Sequence, residues 1–152
     1  MDEKRLLEFR FRAVPENLPT LREKVGTVAQ QMGWDRKAVS DAVIAVNEAC
    51  VNVMQHAYQG DRSGQIILEI LDNGDDLVFC LTDFADRVDL RQIGPRALDD
   101  LRPGGLGTYF MHQIMDECVY GHLAGHSGNT LRMTKKLVRV EGNSDGLQGP
   151  LS

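Results

Sequence analysis

The chain has 152 residues, 42% hydrophobic and 26% charged, which fits one globular domain with a single core. A formal net charge of −5 without a dense Lys/Arg block argues against a nucleic-acid footprint, and no apolar run is long enough to span a bilayer. The start, Met1-Asp2-Glu3-Lys4-Arg5, lacks the basic and apolar stretches of a secretory signal, so the expected setting is cytoplasmic. Cys50, Cys80 and Cys118 are odd in number and sit among apolar neighbours, a pattern of buried free thiols instead of disulfides or a zinc site.

Leu7, Phe9, Phe11 and Ala13 alternate with Glu8, Arg10 and Arg12, the period of a half-buried strand over about residues 4–14, which Pro15 ends. Leu18, Leu21, Val25, Val28 and Met32 then recur at helical steps up to Gly33, a stop signal followed by Trp34 as a packing anchor. Asp35 is placed to cap a second helix with apolar positions at Ala38, Ala42, Val43, Val46, Cys50, Val53 and Ala57. That helix also carries Glu48, Asn52 and His56 at four-residue intervals, which predicts three polar groups on one face. A carboxylate turned toward a core needs a hydrogen-bond partner, a metal or a proton-accepting task.

Two β-rich runs, Ile66 to Leu71 and Leu77 to Thr82, flank Asn73-Gly74, a strong hairpin signal, and the second delivers Asp83 at its end. From Phe84 to Pro103 periodicity is lost, a length of loop that is usually functional. Gly104-Gly105-Leu106-Gly107 opens a helix from Thr108 to about Cys118, and a last hairpin pairs Cys118–Leu123 with Thr130–Val138. The residues from Glu141 read as a flexible tail on a single domain spanning 1–140. This order predicts an α+β two-layer sandwich, a mixed, mostly antiparallel sheet covered on one face by helices.

Each chemical feature taken singly is ambiguous. Glycines before a helix suit phosphate, because the backbone approaches closely and the free N–H groups favour anions, but they also make ordinary loop-to-helix joints. Asp83 either starts a turn or accepts an exocyclic amine such as that of adenine. Thr130 is either a strand residue or a hydroxyl beside the same region. Asn52 offers a hard oxygen suited to Mg²⁺ held mostly by phosphate and water, with Glu48 one turn away as a proton acceptor.

Taken in order, the features resemble the GHKL (Bergerat-fold) ATPases. Glu48-x-x-x-Asn52 is similar to the N-box, Asp83 opens a first-glycine-box segment, Gly104-Gly105-Leu106-Gly107 resembles the second glycine box, and Gly128-Asn129-Thr130-Leu131-Arg132-Met133 resembles the last adenine-side strand. The small size and the ending Asn52-Val53-Met54-Gln55-His56-Ala57-Tyr58 most resemble the anti-sigma-factor serine/threonine kinases of bacterial partner-switching systems.

The resemblance implies ATP and Mg²⁺ as cofactors, Glu48 as base toward a partner's hydroxyl and Asn52 as metal ligand. It further implies Asp83 and Thr130 on the adenine side, with Ala85, Gly104, Gly105, Leu106, Gly107 and Thr108 lining the nucleotide. Residues 84–103 would form a lid from which Arg96 or Arg102 reaches the γ-phosphate. The implied partners are a STAS-domain anti-sigma-factor antagonist as substrate and a sigma factor or other regulator as client, with a homodimer left open.

Two features leave alternatives standing. Ala85 and Arg87 occupy positions where the family often has glycines, which motivates a rival reading as a non-catalytic module that holds nucleotide, or none, and sequesters a partner. The catalytic module of a sensor histidine kinase is a second rival, against which His112, His122 and His126 all follow the N-box and the two glycine-box segments.

Overall fold

The computed structural model describes residues 3–87, 111–125 and 127–136. The expected lid with Arg96 and Arg102, the Gly104–Thr108 joint and the tail from Glu141 lie outside the described residues. In chain order the elements are β1 (Lys4–Arg12), α1 (Leu18–Gln31), α2 (Arg36–Asn52), β2 (Gln65–Asp72), β3 (Asp76–Asp83), β4 (Glu117–His122) and β5 (Asn129–Lys136). The strands form one sheet in the order β1-β2-β3-β5-β4. All four neighbouring pairs are antiparallel, so the mixed sheet expected from the sequence is antiparallel throughout its described strands.

Strand alternation decides where the core sits. Phe11, Ile66, Leu68, Ile70, Leu77, Phe79, Leu81, Leu131 and Met133 belong to one buried cluster with Leu21, Val25 and Ala29 of α1 and Ala42, Ala45, Val46, Ala49 and Cys50 of α2. The registers Phe9↔Leu68, Leu68↔Leu81 and Leu81↔Leu131 carry this face across the sheet. Each fully buried large side chain contributes about 1.5–3 kcal/mol by leaving water. The α2 side of the cluster is built largely of alanines, and small side chains let the helix lie close.

The helix boundaries follow local chemistry. At the end of α1, the Trp34 N–H donates to Ala29 O at 3.2 Å and the Gly33 N–H to Gln30 O at 3.0 Å, with Gly33 at φ +85°. This is the paired-carbonyl ending that a left-handed glycine permits, and it drives Trp34 into the core, where the residue is buried. Among the described residues the Trp34 Nε1 has no hydrogen-bond partner. At the start of α2 the Ala38 N–H donates to Asp35 Oδ1 at 2.8 Å, the cap expected from the sequence and worth about 1 kcal/mol.

The β2–β3 turn is held by the Asp76 N–H on Asn73 Oδ1 at 2.7 Å, with Gly74 at φ +98°. Beyond the glycine-rich segment, residues 111–114 are helical and β4 begins at Glu117, so the helix expected to reach Cys118 stops earlier. Cys118 is a strand residue opposite Met133. The three cysteines are free, Cys50 buried and the others half-buried, and burial pushes the Cys118 thiol up to about 11.

Candidate functional site

Glu48 and Asn52 fall one turn apart near the end of α2, and both are half-buried. Glu48 has no hydrogen-bond or ion-pair partner among the described residues, and its carboxylate oxygens are not sealed from solvent. A carboxylate in that state is open to an incoming hydroxyl. Asn52 is the last α-helical residue, because Val53–Ala57 form a π-helical turn closed by the Tyr58 N–H on Val53 O at 2.9 Å.

The extra residue in that turn shifts the phase of everything after Asn52. His56 is consequently exposed and does not continue the polar face of Glu48 and Asn52. The expectation of three polar groups on one face therefore holds for two. The turn ends with Gln59 at φ +52° and Gly60 at φ +84°, and a left-handed Gln is an uncommon conformation that a tight reversal requires here.

Asp83, the last residue of β3, lies on the helix-covered face and is only 3% exposed. The register places it opposite Asn129, itself buried, whose Nδ2 donates to Asp83 Oδ1 at 2.9 Å and to Asp86 O at 3.1 Å. The Ala85 N–H also donates to Asp83 Oδ1, at 3.0 Å. Burial pushes the Asp83 carboxyl above the usual carboxylate range, and these donors act in the opposite direction. Gly128 is required at the close approach: it has φ +137°, and a Cβ there would stand 2.6 Å from Asp83 O.

Thr130 is placed differently. It pairs with Thr82, so strand alternation turns its side chain to the opposite sheet face from Asp83. Its hydroxyl lies 2.9 Å from where a Gly121 Cβ would stand, on that same opposite face. Asn129, which the sequence reading passed over, is the residue brought to Asp83. The clue available in the sequence was parity: Leu131 and Met133 had to be inward, and Asn129 shares their phase.

Ala85 is buried and is not among the residues with positive φ, so its Cβ is accommodated where the family often has glycine. Ser127 Oγ donates to Ala85 O at 2.9 Å and Arg87 Nη2 to Leu123 O at 3.1 Å. The segment after Asp83 is thus pinned to the β4–β5 turn.

Tyr58, which the sequence motif includes without a role of its own, joins the two parts. The Tyr58 hydroxyl donates to Gln65 O at 2.6 Å and accepts the Gln65 N–H at 3.2 Å and the Phe84 N–H at 2.9 Å. It ties the end of the π-turn to the start of β2 and to the residue following Asp83.

For a metal, the described residues contain no group of three or more His, Cys, Asp or Glu suited to a protein-only site. An Asn carbonyl with one nearby carboxylate instead fits Mg²⁺ that brings phosphate and water as its main ligands.

Residues 11–135 match the family model described as the histidine kinase-like ATPase domain. The chain is 36% identical over 139 residues to the serine-protein kinase RsbW of Bacillus subtilis (strain 168), covering 86% of this chain and 85% of that protein. It is 34% identical over 141 residues to the protein of the same name from Bacillus licheniformis, over 88% and 86% of the two chains. Among solved structures it resembles the RsbU and RsbW domains of a Mycobacterium tuberculosis protein, with a TM-score of 0.62 and 19% identity over 90% of this chain and 32% of that one. A histidine kinase domain from Erythrobacter litoralis is similar at a TM-score of 0.52 and 15% identity, over 79% of this chain and 61% of that one, which shows shared fold alone. On the family match and on relatives that align over most of both lengths, the chain belongs to the histidine kinase-like ATPase family, among its serine-protein kinases.

Proposed function

We propose that this chain is an ATP- and Mg²⁺-dependent kinase that phosphorylates a seryl or threonyl hydroxyl on a STAS-domain anti-sigma-factor antagonist, and that it sequesters a sigma factor or another regulator when the antagonist is unavailable. The observation that carries the reading is Glu48: a solvent-reachable carboxylate with no partner among the described residues, one turn before Asn52. Such a group is disposed to take a proton. It would remove one from the acceptor hydroxyl as that oxygen bonds to the γ-phosphorus and the bond to the bridging oxygen breaks, leaving ADP.

Asn52 would hold Mg²⁺, which supplies charge neutralisation at the phosphates. Asp83 would accept the adenine amine, with Asn129 fixing its orientation in the place expected for Thr130. Ala85 would back the base, while Gly104, Gly105, Leu106, Gly107 and Thr108 would meet the phosphates through backbone groups. Partner exchange follows if antagonist and client compete for one surface and a new phosphate weakens one complex. The setting would be the cytoplasm, and a homodimer is compatible with this scheme.

A sequestering module without turnover drew its support from Ala85 and Arg87. Ala85 is seated without positive φ and Arg87 donates to Leu123 O, so both substitutions have a local accommodation. The test is incubation with ATP-Mg²⁺ and the STAS partner, followed by detection of acid-stable phosphate on Ser or Thr. An unmodified partner with the wild-type chain would sink the kinase reading.

A further inference from the structure

We propose that Tyr58 is a positioning residue for selection of the nucleotide base, setting the exit angle of β3 through its hydroxyl so that Asp83 faces the base. The inference rests on the reading of Asp83 as the adenine acceptor.

The β2–β3 ladder ends at Ile66↔Asp83, so the next pair along would be Gln65 and Phe84. Residues of an antiparallel pair exchange both N–H···O bonds when they face each other narrowly. Here the Tyr58 hydroxyl stands in that exchange, taking the Gln65 carbonyl, the Gln65 N–H and the Phe84 N–H. A phenolic hydroxyl has one proton to donate and two acceptor sites, so these bonds exhaust it. The consequence is a strand end held apart by the width of one oxygen atom, immediately after the buried Asp83.

Two independent features bring the ring to this place. The π-turn shifts the helix phase between Asn52 and Tyr58, which moves the tyrosine to the sheet while leaving His56 outside. Gly64 leaves room for the ring, since a Cβ there would stand 2.3 Å from Tyr58 Cε1. The Gly64 carbonyl is meanwhile fixed by the Ala13 N–H at 2.8 Å, so the ring rests on anchored backbone. One side chain thus connects the helix end that carries Asn52 with the strand end that carries Asp83.

The test is titration of ATP and GTP, each with Mg²⁺, into the wild-type chain, Tyr58→Phe, Gly64→Ala and Asp83→Ala, with unfolding midpoints measured in parallel. Tyr58→Phe is expected to weaken ATP about tenfold and GTP little, so the preference for ATP falls by a similar factor. Gly64→Ala displaces the ring without deleting the hydroxyl, and the same loss of preference is expected there. That variant keeps the test decisive if Tyr58→Phe does not fold. Equal weakening of both nucleotides would indicate general destabilisation and overturn the proposal. If both variants keep the wild-type preference while Asp83→Ala loses it, the proposal falls and the reading of Asp83 stands. If Asp83→Ala changes neither nucleotide, both fall.

Discussion

The two ends of the site are built on opposite plans. The Asp83 carboxyl is itself buried and bonded: it receives the Asn129 amide and the Ala85 N–H, and Gly128 lies so close that no side chain fits. Around Glu48 the carboxylate meets solvent and has no partner among the described residues. A group that recognises a fixed donor gains from being held still in a dry environment, where a mismatched ligand leaves a buried polar atom unsatisfied. A group that must accept a proton gains from keeping its lone pairs unoccupied. On the proposed roles of Asp83 and Glu48, the contrast separates recognition from chemistry within one fold.

The largest expected effect breaks the open end. Glu48→Ala should lower phosphotransfer about 10²–10⁴-fold while ATP affinity, measured by calorimetry, stays at the wild-type level. Because the carboxylate has no partner to lose among the described residues, the unfolding free energy should move by no more than about 0.5 kcal/mol in a denaturant titration.

At the closed end, Asp83→Asn should weaken ATP about 100-fold, since an amide can present a donor where an acceptor is required. Its effect on the nucleotide-free protein runs the other way. The folded-state pKa of Asp83 is raised by burial, so the cost of ionising it is absent below the unfolded value of about 3.9 and sets in as pH rises through the raised folded value. At neutral pH Asp83→Asn removes that cost, and the melting temperature without nucleotide should rise.

A smaller effect sharpens the assignment on β5. Asn129→Ala should weaken ATP about tenfold by releasing Asp83, whereas Thr130→Val should leave affinity within about twofold. Parallel binding isotherms for the two variants distinguish the sheet faces.

The smallest effect concerns His112, whose Nε2 lies 3.1 Å from the Tyr120 hydroxyl and whose pKa is lowered by burial. A depressed histidine contributes stability that is present above about pH 6.5 and lost as pH falls through the lower folded value. Melting temperatures between pH 8 and pH 5 should therefore decline less steeply for His112→Gln than for the wild type.

Much of the fold was legible because local rules and burial agree. The alternation of Leu7, Phe9 and Phe11, the stop at Gly33, the cap at Asp35 and the Asn73-Gly74 turn are all realised. What escaped was phase. An α-helical reading carries His56 onto the face of Asn52, but a π-turn has no composition signal of its own and arises here with tertiary contacts at its end. On β5 a single residue of register exchanges one sheet face for the other, so Thr130 and Asn129 trade places. The short apolar run near Cys118 fits helix and strand equally, and pairing with Met133 decides it. Tyr58 was invisible as a bridge because its partners are backbone groups, which sequence does not display.

The strand order has a further consequence for how such a chain changes over time. β3 lies beside β5, and the Asp83–Asn129 contact joins residues 46 apart in sequence. With both ends of the intervening segment anchored in the sheet, closure entropy grows slowly with its length, about 0.6 kcal/mol for each doubling of a flexible loop. Length changes confined to the stretch between Arg87 and Gly104 should therefore cost little and leave the contacts of Ala85, Asp86 and Asn129 around Asp83 in place. The length of that connection can thus vary across a lineage while the Asp83–Asn129 contact is inherited intact.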